Sequence, residues 1–154
     1  TRVNDIEVED CAALSLEMGN GALVTSSITL GAAEDVSRIK ICFSNLTIES
    51  AGSPDKPYNP ADDEWKFLAR EPVTQNQIDD VLSNVQLTKS WYTGMFEEIA
   101  KNLDGLTSDE VTLSDARQSL EFVTAVYDSS HQGKNIYMPI KKENPLYKSW
   151  IPKK

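Results

Sequence analysis

Apolar and polar residues alternate along the first fifty positions, which is the pattern of strands with one buried face. A first run starts at Asp10 and a second at Ala22, and Gly19-Asn20-Gly21 between them tolerates the positive φ of a tight turn. The side chains predicted to share one face are Ala12, Leu14, Leu16, Met18, Ala22, Val24, Ser26, Ile28 and Leu30. The pattern predicts a β-hairpin.

A second pair of strands is predicted at 36–43 and 46–49, around a turn at Ser44-Asn45. Four consecutive antiparallel strands result. Residues 51–63 contain three prolines and a glycine among acidic residues and are expected to form a surface loop. A shorter strand is expected at 64–69, where Trp65 and Phe67 alternate with polar residues.

Two helices have clear apolar spacing, at 88–102 and 114–132. Gly105 and Gly133 follow them and are typical of helix ends, and Asp115 lies where a helix start favours negative charge. The inward positions are Trp91, Met95, Ile99 and Leu103 in the first helix and Ala116, Leu120, Val123 and Tyr127 in the second. The pattern at 72–86 is ambiguous, although its apolar residues lie at helical spacing.

The chain ends with a predicted strand at 135–140 and a closing segment at 144–152. Strands first, helices second and one more strand predict an α+β domain, with helices packed on one face of a largely antiparallel open β-sheet. The opposite face would carry small, hydroxylic and apolar side chains, namely Leu23, Thr25, Ser27 and Thr29. From the pattern alone this face suits a flat protein contact or contact with water equally well.

Composition and charge narrow the class of protein. The 154 residues include 40% hydrophobic residues and have a formal net charge of -9, which argues against a nucleic-acid partner. Residues 131–154 carry six basic side chains and one acidic one, and we interpret these lysines as a solvated rim. With no apolar run of about 18 residues and no basic-apolar leader, we expect a soluble, cytoplasmic protein without a membrane partner.

The cysteines and the histidine do not form the patterns that are typical of catalytic or metal sites. Cys11 and Cys42 lie in strand-like runs and are interpreted as small hydrophobic residues rather than as a disulfide framework. The one histidine, His131, falls in a last helical turn, where capping is favoured over catalysis. Neither a zinc site nor a histidine-based triad can be assembled.

Carboxylates are the remaining candidates. Glu97 and Glu98 are adjacent on a helix and therefore diverge, which is the wrong geometry for a shared acid-base site. Two acidic groups lack the spacing of a calcium loop and are interpreted as solvated charge: Asp62, Asp63 and Glu64, and Asp79 and Asp80. Asn45-Leu46-Thr47 fits a glycosylation acceptor, but the pattern is short and is discounted. Because no glycine-rich turn joins a strand to a helix, this chain by itself is expected to bind no dinucleotide.

Several motifs nevertheless resemble one family. The run 8–14, VEDCAAL, followed by Gly19-Asn20-Gly21-Ala22, is similar to a hairpin in the carboxyl-terminal domain of the Gfo/Idh/MocA oxidoreductases, the glucose-fructose oxidoreductase and inositol dehydrogenase type. The segments LSDARQSL at 113–120, AVYDSS at 125–130 and GKNIYMP at 133–139 resemble the end of that domain. The tail at 145–150 resembles the close of some members. At 43–46 the chain has Phe-Ser-Asn-Leu where the family often has two glycines, so the turn must be made by Ser44 and Asn45.

The resemblance implies that residues 1–154 are one domain, the carboxyl-terminal domain of a longer NAD(P)-dependent oxidoreductase. The parent enzyme would move a hydride between NAD or NADP and a carbon that bears a hydroxyl, on a sugar, cyclitol or related compound. The resemblance further implies that this domain walls the substrate cleft against its own nucleotide-binding domain and pairs its sheet face in a homo-oligomer. The family's catalytic groups have no counterpart here, so no catalytic, cofactor-binding or metal residue is assigned and the fragment alone is expected to be inactive.

Two other hypotheses stay open. A stand-alone scaffold module could use the same sheet face for a different protein, and it requires a native product as short as this chain. A small hydrolase built on carboxylates such as Asp79 or Asp80 is disfavoured, because no pair of them is positioned by its spacing.

Overall fold

The first hairpin forms as the alternation predicts. The computed structural model of the chain describes residues 2–50, 64–86, 88–89 and 91–149. Strand β1 (Cys11–Glu17) pairs antiparallel with β2 (Leu23–Thr29). Gly21 has a φ of 84° in the turn, a conformation open to glycine, and its N–H donates to the Met18 carbonyl over 2.8 Å.

The second group of strands forms a separate sheet of three. Strands β3 (Lys40–Cys42), β4 (Leu46–Ser50) and β5 (Trp65–Ala69) are antiparallel in that order. The Phe43 N–H donates to the Leu46 carbonyl over 2.8 Å, so Ser44 and Asn45 make the turn as expected. The strands therefore belong to two small sheets rather than to one continuous sheet. The predicted loop at 51–63 lies outside the described residues.

The ambiguous segment is helix α1 (Gln75–Ser83), and it packs against β5. Thr74 and Gln77 form a capping box at its start. The Gln75 side chain fastens the helix to the strand, since it accepts from the Ala69 N–H over 3.1 Å and donates to the Phe67 carbonyl over 3.0 Å. Ile78 on this helix is buried.

The two longer helices are close to their predicted limits, at α2 (Trp91–Leu103) and α3 (Leu113–Gln132). Gly105 and Gly133 end them with φ values of 73° and 62°. At the start of α3, Thr112 and Asp115 form a second capping box. The chain divides into two compact units, residues 1–91 and 92–154.

The predicted strand at 135–140 is wrong. These residues lie in irregular structure, although Ile136, Met138 and Ile140 alternate as a strand would. Pro139 lacks an N–H for a ladder, and the N–H of Ile140 donates instead to the Glu121 carboxylate on α3 over 2.6 Å. The described part of the chain contains three helices and two antiparallel sheets, and the fold is therefore α+β.

We predict that Thr112→Ala lowers the free energy of unfolding by about 1 kcal/mol, because it removes the side chain that caps α3. Chemical denaturation of the purified chain measures this change. Thr107→Ala is the matched control, since Thr107 is an exposed threonine in the preceding loop. Equal effects of the two substitutions would contradict a capping role.

Candidate functional site

The β1–β2 hairpin has two chemically distinct faces. On one face, Leu14 and Leu16 lie opposite Ser26 and Val24. The other face carries small and hydroxylic side chains, and we call it the hydroxyl face. It consists of Cys11, Ala13, Ser15, Thr25, Ser27 and Thr29, and the pair of Glu17 and the predicted face residue Leu23 continues the same side toward the turn.

The hydroxyl face is ordered by cross-strand pairs. Ala13 lies opposite Ser27, and Cys11 lies opposite Thr29, with 3.1 Å between Cys11 Sγ and Thr29 Oγ1. Thr29 Oγ1 also accepts the Gly31 N–H over 3.0 Å. Because the side chains are short and evenly paired, this face presents a low, regular surface.

Both faces of the hairpin remain open to solvent. On the hydroxyl face all the side chains are exposed except the half-buried Cys11, and none of the six is charged. On the opposite face Val24 and Ile28 are 38% and 52% exposed. A two-stranded hairpin is marginally stable in water without something packed on it, so these faces are candidates for contact with another protein surface.

An open depression adjoins the hydroxyl face at Ser27. Its other lining residues follow β2, and they are Ala32, Ala33, Glu34, Val36 and Arg38. It contains one acidic and one basic side chain but does not enclose a small molecule as ligand pockets do. Alone it is therefore a poor small-molecule site.

Asp10 lies at the open end of the hairpin, and only 4% of its surface is exposed. Its Oδ1 accepts the Val3 N–H, and its Oδ2 accepts the Asn4 N–H, each over 2.8 Å. Hydrogen bonds to the carboxylate outweigh the effect of burial and lower the pKa of Asp10 from 3.8 to about 2. The largest contribution comes from the Asn4 backbone N–H, followed by the Val3 N–H, the Cys11 side chain and the Asn4 side chain. The carboxylate is therefore a structural anion.

The adjacent glutamates of α2 do not form an acid-base pair. Glu98 accepts from the Lys101 ammonium over 2.5 Å and from the Asp109 N–H over 3.0 Å. The Lys101 side chain, together with the Asp109 N–H, lowers the pKa of Glu98, and Glu98 in turn raises the pKa of Lys101. Glu98 therefore closes the loop after α2.

The structure describes three of the other acidic candidates, namely Glu64, Asp79 and Asp80. Asp79 accepts from Gln75 Nε2 over 2.9 Å within α1. Glu64 is exposed, whereas Asp62 and Asp63 lie outside the described residues. In the described ranges, no group of three or more His, Cys, Asp or Glu side chains could hold a metal ion.

On α3 the carboxylates of Glu121 and Asp128 hold the segment that follows the helix, and Glu121 does so through the Ile140 N–H described above. Asp128, 3% exposed, accepts from Gln132 Nε2 and, over 2.7 Å, from Asn144 Nδ2. Its polar and charged neighbours outweigh the effect of burial and lower the pKa of Asp128. The largest contribution comes from the hydrogen bond of the Gln132 side chain, followed by that of Asn144 and by the charges of Lys134 and His131. Asp128 therefore fixes the direction of the chain after α3. The sequence pattern did not predict this role.

The remaining candidates are scattered. Cys11 is half-buried, whereas Cys42 is exposed in β3, so the expectation that both act as small hydrophobic residues does not describe Cys42 well. Both cysteines are free in the structure. His131 is in the last turn of α3, with its ring centroid 6.2 Å from that of Tyr127. Asn45 is part of the β3–β4 turn.

Sequence reasoning located the hydroxyl face but missed Asp10 and the depression. Asp10 bonds to backbone N–H groups, and no side-chain pattern reveals such partners. For the depression, the available signal was Glu34 and Arg38 close together after a strand.

We predict that the Asp10 carboxyl carbon titrates in NMR spectra with a midpoint of about 2. Because this pKa is depressed, the stabilising contribution of the carboxylate is complete above pH 3.8 and is lost as the pH falls through about 2. Asn4→Ala removes one donor and should raise the midpoint. A wild-type midpoint near 3.8 would show that these hydrogen bonds do not form in solution.

The chain matches the model of a protein family. The model of the C-terminal alpha/beta domain of the Gfo/Idh/MocA oxidoreductase family matches residues 1–140. Neither the curated proteins nor the solved structures give a match. Among the described residues, no helix is long and apolar enough to span a membrane. Because the matched range includes both sheets and all three helices, the chain belongs to the Gfo/Idh/MocA oxidoreductase family and corresponds to its C-terminal domain.

Proposed function

We propose that this chain is the substrate-cleft and dimerisation domain of a longer NAD(P)-dependent oxidoreductase acting on a sugar, cyclitol or related hydroxyl compound. Family membership supports the oxidoreductase assignment. The observation that carries the dimerisation part is the exposed, uncharged hydroxyl face of the β1–β2 hairpin.

A second copy of this chain is a suitable partner for the hydroxyl face. In a two-fold symmetric dimer the same patch meets itself, so the patch must be complementary to itself. Hydroxyl groups such as those of Ser15 and Thr25 both donate and accept hydrogen bonds, and they meet this requirement. Short side chains also allow the two sheets to approach closely. Glu17, next along β1, would then lie at the rim of the interface.

In this proposal NAD(P) is not held at the start of α1 or of α3. A pyrophosphate needs free N–H groups at a helix start, usually after a glycine-rich turn. Thr74 and Thr112 already occupy the starts of α1 and α3 through their capping boxes. The nucleotide therefore belongs, in this proposal, to a domain that precedes the chain.

In the reaction, this domain would bind and enclose the substrate. Three carboxylates of this domain hold loops or a terminal segment, namely Glu98, Asp10 and Asp128. No proton transfer or hydride transfer is assigned to them. The domain would supply one wall of a cleft and limit the access of water to the reacting carbon.

We predict that the wild-type chain sediments at twice its 17.1 kDa mass and that Ser27→Lys makes it a monomer. Ser27 lies within the hydroxyl face, opposite Ala13. An unpaired ammonium buried at this contact should weaken dimerisation at least about 100-fold. Analytical ultracentrifugation over a range of concentrations measures the dissociation constant.

Thr107→Lys is the matched control, because it adds the same charge at an exposed threonine outside the hairpin. It should leave the dimer intact, and Ser27→Ala should do the same. A wild-type monomer, or a dimer that Ser27→Lys does not weaken, would overturn the assignment of the hydroxyl face. The circular dichroism melting curve of each variant checks that it remains folded.

A further inference from the structure

Asp10 connects three parts of the first unit. Its carboxylate accepts the N–H groups of Val3 and Asn4, and Asn4 Nδ2 donates to it as well, each over 2.8 Å. Its backbone carbonyl accepts the Leu30 N–H over 3.0 Å. One residue thus joins the segment 2–9, the start of β1 and the chain that leaves β2.

Two further contacts hold the segment 2–9 at this place. Asn4 Nδ2 also donates to the Leu30 carbonyl over 3.2 Å. Val3 lies directly over Gly31, where an added Cβ would be only 2.5 Å from Val3 Cγ1. A side chain at position 31 would therefore push the segment away. We call Val3, Asn4, Asp10, Leu30 and Gly31 the Asp10 clasp.

Apolar burial does not account for the position of this segment. It has no helix or strand, and its larger apolar side chains are exposed: Val3 by 61%, Ile6 by 38% and Val8 by 61%. The Asp10 carboxylate, in contrast, is almost fully buried, and hydrogen bonds to a charged acceptor are stronger than neutral ones. The clasp is therefore the main constraint on the direction of the chain at residues 2–9.

This constraint acts at the open end of the hairpin, away from the Gly19-Asn20-Gly21 turn. We propose that Asp10 is a positioning residue that fixes the direction in which the polypeptide enters this domain, and thereby orients the domain that precedes it. The inference rests on the proposed function, in which a nucleotide-binding domain lies upstream. The width of the substrate cleft would then depend on the clasp.

The clasp itself can be tested on the 154-residue chain. Asp10→Asn keeps the side-chain size but turns one acceptor into a donor that faces other donors. Amide exchange at Val3 and Asn4 should accelerate about tenfold or more, as expected for the loss of one hydrogen bond. Trypsin should likewise cut faster after Arg2, because the Val3 N–H belongs to the bond it cleaves.

Two variants sharpen the comparison. Gly31→Ala should produce the same effects by displacing Val3, without any change of charge. Asp5→Asn removes a carboxylate from an exposed position of the same segment and should change nothing. Exchange at Leu14 and Val24 should stay slow in every variant. Fast exchange at Val3 and Asn4 in the wild type, or loss of protection along the whole hairpin in Asp10→Asn, would overturn the proposal.

The positioning role is measured on the longer protein. There Asp10→Asn should increase the radius of gyration in small-angle X-ray scattering, with the NADPH dissociation constant unchanged. A purely structural residue would lower the melting temperature without changing the radius of gyration. If exchange shows the clasp but scattering does not change, the positioning role is wrong and the proposed function stands. If the native product has no upstream domain, both fail, while the exchange results remain valid for the clasp.

Discussion

A two-stranded hairpin cannot bury either of its faces by itself, and this constraint governs the first part of the chain. Strands β1 and β2 leave the hydroxyl face exposed and the opposite face half-exposed. Among the described residues the buried apolar side chains are Ile78 and Ala125, which is a small core for a chain of this length. A further surface packed on the hairpin would add to its stability. For this reason we propose that the hydroxyl face is an interface.

Local polar contacts fix the ends of the helices and the segments that follow them. The capping boxes of Thr74 and Thr112 fix where two helices begin, and Glu98 and Asp128 hold the segments that follow α2 and α3. Carboxylates engaged in this way have lowered pKa values because hydrogen bonds stabilise their charged form. A lowered pKa here signals structure rather than catalysis. These carboxylates therefore stabilise the fold.

The sequence could predict what depends on local periodicity and turn chemistry. Alternation with Gly19-Asn20-Gly21 located the hairpin, and apolar spacing with Gly133 located the long helix. It could not predict that β5 pairs with β4 or that the two hairpins belong to separate sheets, since alternation defines faces and not neighbours. It also failed at 135–140, where Glu121 captures the N–H that a strand would have used. The hydroxyl face was visible in the pattern, but the Asp10 clasp depends on backbone donors and was not.

The central claim is that this domain works as part of a longer oxidoreductase. The most direct test is the intact mass of the polypeptide in its native cell, detected with an antibody raised against this chain. The account predicts a product heavier than 17.1 kDa by one further domain of about 100–150 residues, and it predicts that this product binds NADH or NADPH. A native product of 17.1 kDa would contradict the account and favour a stand-alone scaffold module.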